Sequence, residues 1–129
     1  MEKATVYHDK DANLAYLSGK NIGIIGYGNQ GRAQALNMRD SGVCSITVGS
    51  VSDSSAEQAL EDGFEVHSIA DTAAGSDILF LLLPDEVLPD IYASDIAPNL
   101  KDGAVLNFSS GYNITYKHVI PPENVDVIL

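Results

Sequence analysis

The sequence has little of several things, and each shortage narrows what the protein can be. It holds a single cysteine, Cys44, which removes any disulfide framework and any zinc cluster built on thiolates. A reducing, cytoplasmic setting is the expectation. Long apolar runs are missing: the longest, Ile78 to Leu83, is far too short to span a bilayer. The amino terminus, Met1-Glu2-Lys3-Ala4-Thr5, carries no apolar signal core, so nothing in it points to export. Cations are scarce as well, with 7 Lys and Arg against 18 Asp and Glu, a net charge of −11. Those few are scattered from Lys3 to Lys117 rather than clustered, so the chain repels phosphate backbones and nucleic-acid binding is disfavoured. The acidity reads as a solvated surface that favours solubility.

What remains is ordinary globular material. With 129 residues, 45% hydrophobic and 19% charged, the chain is expected to form one domain spanning residues 1–129, because a second core would need roughly another 100 residues. No repeat, low-complexity tract or linker divides it.

Short apolar runs alternate with helical patterns along the whole length. The first run, Ile22-Gly23-Ile24-Ile25, leads into a glycine-rich turn and then a helix to about Arg39, which Ser41-Gly42 ends. A second run, Ser45 to Val48, is rich in β-branched residues; Ala56, Ala59 and Leu60 then mark one face of a helix that stops at Asp62-Gly63. A third strand is predicted at Phe64-Glu65-Val66, with a brief helix from Ile69 to Ala74 behind it. The fourth, Asp77 to Leu83, has no polar alternation and fits a central parallel strand covered on both faces. Pro84-Asp85 ends it, and the next helix buries Leu88, Ile91 and Tyr92 with Pro89 in its first turn. Ala104 to Phe108 and Val125 to Leu129 supply a fifth and a sixth strand.

Strands alternating with helices imply right-handed βαβ units. The predicted fold is α/β: a doubly wound, mainly parallel, Rossmann-type sheet of about six strands with helices on both faces. Its ligand should lie beyond the carboxyl ends of strands one and four.

Gly26-Tyr27-Gly28-Asn29-Gln30-Gly31 sits between the first strand and the first helix, the context in which a G-x-G-x-x-G pattern has meaning. Gly26 permits the tight turn, Gly28 lets backbone approach a diphosphate, and Gly31 lets the helix pack closely. The amides that open the helix attract the diphosphate. At the end of the second strand an acidic side chain favours the ribose of NAD, whereas a cation favours the 2′-phosphate of NADP. The segment Gly49-Ser50-Val51-Ser52-Asp53-Ser54-Ser55 offers no cation, and none lies between Arg39 and Lys101, so NAD is favoured over NADP. Asp53 is either a ribose ligand or a helix-start residue, and Ser54-Ser55-Ala56-Glu57 reads as a capping box opening the next helix.

Several stretches, taken together, carry a resemblance. They are Val6-Tyr7-His8-Asp9-Lys10-Asp11-Ala12, Ile24 to Gly31, Ala35 to Gly42, Glu61 to Val66, Leu82 to Val87, Gly111-Tyr112-Asn113-Ile114 and Pro121 to Val127. In collinear order they resemble the amino-terminal cofactor domain of the ketol-acid reductoisomerases of branched-chain amino-acid synthesis. The resemblance covers essentially the entire chain. It implies an oxidoreductase whose complete form shifts an alkyl group with magnesium and then reduces the product with NADPH or NADH. It further implies that Tyr27, Gly28, Asn29 and Gln30 line the diphosphate and that Ser50, Ser52, Asp53 and Ser55 meet the adenosine ribose or its phosphate. Pro84, Asp85, Glu86 and Val87 would lie near the cofactor.

Two departures from the family stand out. Ser110 occupies the position of the family's active-site histidine, and a hydroxyl does not replace an imidazole that titrates near neutrality. His118 reads as an ordinary surface or helix-end residue, and His8 and His67 belong to no motif. The family's magnesium ligands lie in a helical carboxyl-terminal domain, which this sequence does not include, and the acidic residues present form no comparable constellation. No catalytic or metal residue is therefore assigned. The chain is expected to bind cofactor without isomerising substrate alone, with a helical domain or partner chain completing an enzyme and self-association possible through uncovered apolar surface. The alternatives are a stand-alone cofactor-binding or regulatory module, and a reductase for another small 2-keto acid or imine.

Overall fold

The computed structural model describes residues 3–129. Met1 and Glu2, part of the terminus read for a signal core, lie outside them. Six strands form one sheet: β1 (Ile22–Ile25), β2 (Ile46–Gly49), β3 (Glu65–His67), β4 (Ile78–Leu81), β5 (Val105–Phe108) and β6 (Asp126–Ile128). Their order is β3-β2-β1-β4-β5-β6, and every pairing is parallel. The chain winds outward from β1 in one direction and then, after β3, in the other. The crevice beyond β1 and β4 is the switch point anticipated from the strand–helix alternation.

The helices are α1 (Asn29–Asp40), α2 (Ser54–Glu61), α3 (Ile69–Gly75), α4 (Leu88–Ile91) and α5 (Tyr112–Thr115). Pro89 sits in the first turn of α4, which continues through a π-helical turn at Tyr92–Ile96. Neither α5 nor the 3₁₀ turns at Asp9–Asp11 and Leu14–Leu17 was foreseen from periodicity, because each is too short to show one.

Two helices end alike. Gly42 (φ +94°) and Gly63 (φ +90°) adopt left-handed backbone. The next amides, of Val43 and Phe64, reach back to the carbonyls of Met38 and Ala59, and Gly42 and Gly63 donate to Arg39 and Leu60. This is the paired hydrogen-bond pattern of a glycine-terminated helix, and it satisfies carbonyls otherwise left bare. It also explains why β3 starts at Glu65 rather than Phe64: the Phe64 amide belongs to the end of α2. The β4 ladder closes at Leu81 instead of Leu83, although the Leu82 amide still donates to the Ile25 carbonyl.

Apolar residues pack on both sheet faces. Ile22, Ile24 and Val48 join Ala35 of α1 and Ala59 of α2 on one side. Ile25, Leu79, Leu81 and Phe108 join Ala73 of α3 and Leu88, Tyr92 and Ile96 on the other. β4 serves both, with Leu79 and Leu81 facing one cluster and Ile78 and Phe80 packed on the other. That double coverage accounts for its unbroken apolar sequence. Each fully buried Ile or Leu contributes about 1.5–3 kcal/mol.

Helix α3 lies closest to the sheet. A β-carbon at Gly49 of β2 would stand 2.7 Å from Ile25 Cδ1 and 3.0 Å from Thr72, and one at Gly23 of β1 would collide with Ser76. Small residues on both surfaces bring this helix down onto β1 and β2.

Candidate functional site

A cleft of about 680 Å³ opens at the switch point. Its first wall is the glycine turn. Gly26 leaves β1 with φ +92°, and a β-carbon there would stand 2.9 Å from the Leu82 carbonyl oxygen. At Gly31 a β-carbon would collide with the Gly26 carbonyl. Both positions are thus required by the protein's own backbone. Gly28 is not: its φ of −80° suits any residue, and an added β-carbon would meet nothing within 4 Å.

Gly28 is also the N-cap of α1 and has no side chain to satisfy the helix's opening amides. Those first amides have no acceptor within a helix, so they face outward with the positive end of the helix dipole. Asn29 and Gln30 line the cleft beside them. Gly31 does not line it; its place is in the packing beneath. Tyr27 borders the cleft, but its ring is buried edge-on to Phe64, with centroids 6.0 Å apart.

The second wall follows β2. Gly49, Ser50, Val51, Asp53 and Ser55 line it, whereas Ser52 does not. Here the capping box expected at Ser54 is corrected: the N-cap of α2 is Asp53, whose Oδ1 accepts from the amides of Ser55 (3.0 Å) and Ala56 (3.1 Å). Ser54 is the first helical residue, which moves Glu57 one place beyond the reach of a box. The Ser50 hydroxyl also donates to Asp53 Oδ1, at 3.4 Å. Asp53 is therefore a helix-start residue that also borders the cleft, and its Oδ2 accepts no hydrogen bond among the described residues. No Lys, Arg or His is among the lining residues.

The third wall comes from β4 and β5. Leu82, Leu83, Pro84, Asp85 and Val87 line it together with Ser109 and Ser110. The Ser110 hydroxyl donates to Asp85 Oδ2 (3.3 Å) and accepts from the Tyr112 amide (3.2 Å). Buried Asn113 donates through Nδ2 to the Asp85 carbonyl (3.1 Å). Glu86 faces elsewhere, into an adjoining cavity of about 360 Å³ shared with Asp85, Pro89, Tyr112, Asn113 and His118. His118 is exposed and stacks on Tyr112, 5.6 Å between centroids.

Of the candidate residues read from the sequence, the cleft gathers Gly26, Tyr27, Gly28, Asn29, Gln30, Ser50, Asp53, Ser55, Pro84, Asp85 and Val87. It also contains Ile69, Ile91, Leu82 and Leu83, which sequence reasoning passed over. The apolar runs announced those residues as core; only the bend of the chain past β4 and the seat of α3 turn them toward a ligand.

A second omission lies behind the glycine turn. The Tyr27 hydroxyl donates to Asp62 Oδ2 (2.8 Å), and Arg32 forks onto the same carboxylate through Nε (2.7 Å) and Nη2 (3.1 Å). Arg32, then Tyr27, hold the Asp62 carboxyl down at about 2, while burial and then Asp62 keep the Tyr27 phenol protonated far above its ordinary range. Asp62 reads from sequence only as a helix stop, and nothing local in the chain couples it to residues 30 and 35 positions earlier.

A parallel sheet in this order, a glycine turn between β1 and α1, and a cleft at the switch point define a Rossmann-type dinucleotide-binding fold. The chain belongs to the family of the acetohydroxy acid isomeroreductase NADPH-binding domain, whose model matches residues 16–129. It is 46% identical over 126 residues to a ketol-acid reductoisomerase (NADP(+)) of Pyrobaculum calidifontis, and 48% identical over 126 residues to that of Pyrobaculum islandicum. Each match covers 98% of this chain and 38% of the relative, so the chain spans well under half the length of these relatives. Among solved structures, an NADH-preferring ketol-acid reductoisomerase from an uncultured archean superposes with a TM-score of 0.89 at 44% identity, over 96% of this chain and 39% of that one. The resemblance drawn from the sequence motifs is thereby met.

Among the described residues no helix is long and apolar enough to cross a membrane, and no group of three or more His, Cys, Asp or Glu is arranged to hold a metal ion.

Proposed function

We propose that this chain binds a nicotinamide dinucleotide as the cofactor half of a ketol-acid reductoisomerase-type oxidoreductase, and takes NADH in preference to NADPH. The observation that carries the first part is Gly28. Neither its backbone angles nor its protein neighbours require glycine, so the missing side chain clears space for something outside the protein. What fits there is an anion, because uncapped helix amides border the space. The cleft around it suits an elongated ligand, with a polar end at Ser50, Asp53 and Ser55 and an apolar floor at Ile69, Leu82 and Leu83.

The preference for NADH rests on charge. A 2′-phosphate at the end of β2 would meet hydroxyls, amides and the Asp53 carboxylate, with no cation lining the cleft. The family name and the Pyrobaculum relatives carry NADPH or NADP(+), while the similar archaeal structure is described as NADH-preferring. The family accordingly contains both preferences, and the lack of a cation lining the cleft at the end of β2 supports NADH for this chain.

A bound nicotinamide supplies hydride. The chain's own residues hold the diphosphate at the α1 amides, seat the adenosine end against Asp53, and fix the β4–β5 side through the Asp85–Ser110 hydrogen bond. The magnesium-dependent isomerisation would require carboxylates outside these residues, from a helical domain or partner chain. Calorimetric titration of the protein with NADH and NADPH tests the proposal. NADH should bind, and more tightly than NADPH. Tighter NADPH binding would overturn the preference, and no binding of either would overturn the function.

A further inference from the structure

We infer that Asp62 is a positioning residue for the phosphate-binding turn, holding it through the Tyr27 hydroxyl and thereby setting affinity for the diphosphate of a dinucleotide. The inference rests on the cofactor reading above and adds a residue that lines no part of the cleft. Its starting point is a mechanical problem. The turn that must present its amides to an anion is flanked by Gly26 and Gly28, neither of which has a side chain to anchor it. Tyr27 is the one residue between them, and it points away from the ligand space into the packing over α2.

Asp62 provides the anchor. It is the C-cap of α2, and its carboxylate takes the Tyr27 hydroxyl, the Arg32 fork and, at 3.3 Å, the Gln58 amide. Arg32 lies in the first turn of α1, so one carboxylate ties the glycine turn and the start of the anion-facing helix to the same point. Asp62 is in turn fixed: Arg39 donates to its carbonyl and lies over the Phe64 ring, 4.7 Å from the centroid. The network has a second effect. One edge of the Arg32 guanidinium, Nε and Nη2, is spent on Asp62, which fixes the cation nearest the turn against α2.

Two variants test this. Tyr27→Phe keeps the buried ring and removes only the hydroxyl; Asp62→Asn keeps the shape and removes the charge. Each is titrated with NADH, with ADP-ribose and, by chemical-shift perturbation, with adenosine, which lacks phosphate. Both variants should lose about tenfold in affinity for NADH and ADP-ribose, the size of one charge-assisted hydrogen bond. Adenosine should bind them as it binds the wild-type protein. A purely structural role would weaken all three ligands together, and that result overturns the inference, as does a Tyr27→Phe protein that binds ADP-ribose undiminished. Wild-type protein that binds neither NADH nor ADP-ribose would instead remove the cofactor reading itself.

Discussion

The carbonyl oxygen of Gly26 stands where the β-carbon of residue 31 would project in any amino acid but glycine. Turn and helix are pressed together there, backbone against backbone, and neither has a flexible side chain that could give way. Gly31→Ala should therefore lower stability by about 1–3 kcal/mol through overpacking, more than the gain of about 1 kcal/mol from alanine's helix propensity. Gly28→Ala should behave oppositely. It should change stability by about 1 kcal/mol or less, as an N-cap substitution does, yet weaken NADH binding at least tenfold. Urea denaturation and calorimetry on the two variants separate the glycine required by the fold from the one required by the ligand. A Gly28→Ala protein that binds NADH normally would contradict the assignment.

Asp53 does two jobs with one carboxylate, capping α2 through Oδ1 while bordering the adenosine end of the cleft. Asparagine caps a helix as well as aspartate does, so Asp53→Asn should leave the melting temperature nearly unchanged. Losing the charge should nevertheless narrow the preference for NADH over NADPH, because the 2′-phosphate no longer faces an anion. Asp53→Ala should cost about 1 kcal/mol of stability in addition. If the ratio of the two dissociation constants is the same in Asp53→Asn as in wild type, Asp53 does not set the preference.

Much of this arrangement was legible in the chain because its signals are local. Gly42 and Gly63 follow helical stretches and end them, Pro89 opens one, and the unbroken Ile78–Leu83 run marks a strand covered on both sides. The glycine turn announced itself through its position between a strand and a helix. The sequence points to Ser54 as the cap of α2, one residue late, since Asp53 and Ser54 are both good caps and only the backbone path after β2 chooses between them. The Tyr27–Asp62–Arg32 cluster was not legible at all. Its partners come from three elements, and their meeting depends on how α1 and α2 lie side by side on the sheet.

Thr72 illustrates a different consequence of close packing. The small residues that seat α3 against Gly23 and Gly49 bury the Thr72 hydroxyl, and Oγ1 finds no hydrogen-bond partner among the described residues. A buried hydroxyl without a partner loses its hydration for no return, a penalty of about 1–3 kcal/mol. Thr72→Val keeps the β-branched shape and has similar helix propensity, so it should raise stability by about 1 kcal/mol, seen as an increase in the urea midpoint with unchanged slope. A decrease would mean that the hydroxyl is paired in solution.

Acid should weaken the hold on the glycine turn only at low pH. The Arg32 guanidinium, then the Tyr27 hydroxyl, hold the Asp62 carboxyl at about 2, below its ordinary value of 3.8. As pH falls through that interval the unfolded chain takes up the proton first, so protonation favours unfolding. The stabilisation from Asp62 is complete above about pH 5 and disappears as pH drops through 2. Other carboxylates respond to acid too, Asp77 among them, held low by the Asn21 amide and then Lys101. The comparison that isolates Asp62 is the difference in urea midpoint between wild type and Asp62→Asn, measured at several pH values. That difference should be largest near neutrality, begin to shrink below about pH 4, and approach zero near pH 2. In the same interval the Tyr27 phenol should lose its bond to a charged acceptor, so the tyrosine absorbance of folded wild-type protein should show a component that Tyr27→Phe lacks. A midpoint difference independent of pH would show that the carboxylate carries no net stabilising charge interaction in the folded chain.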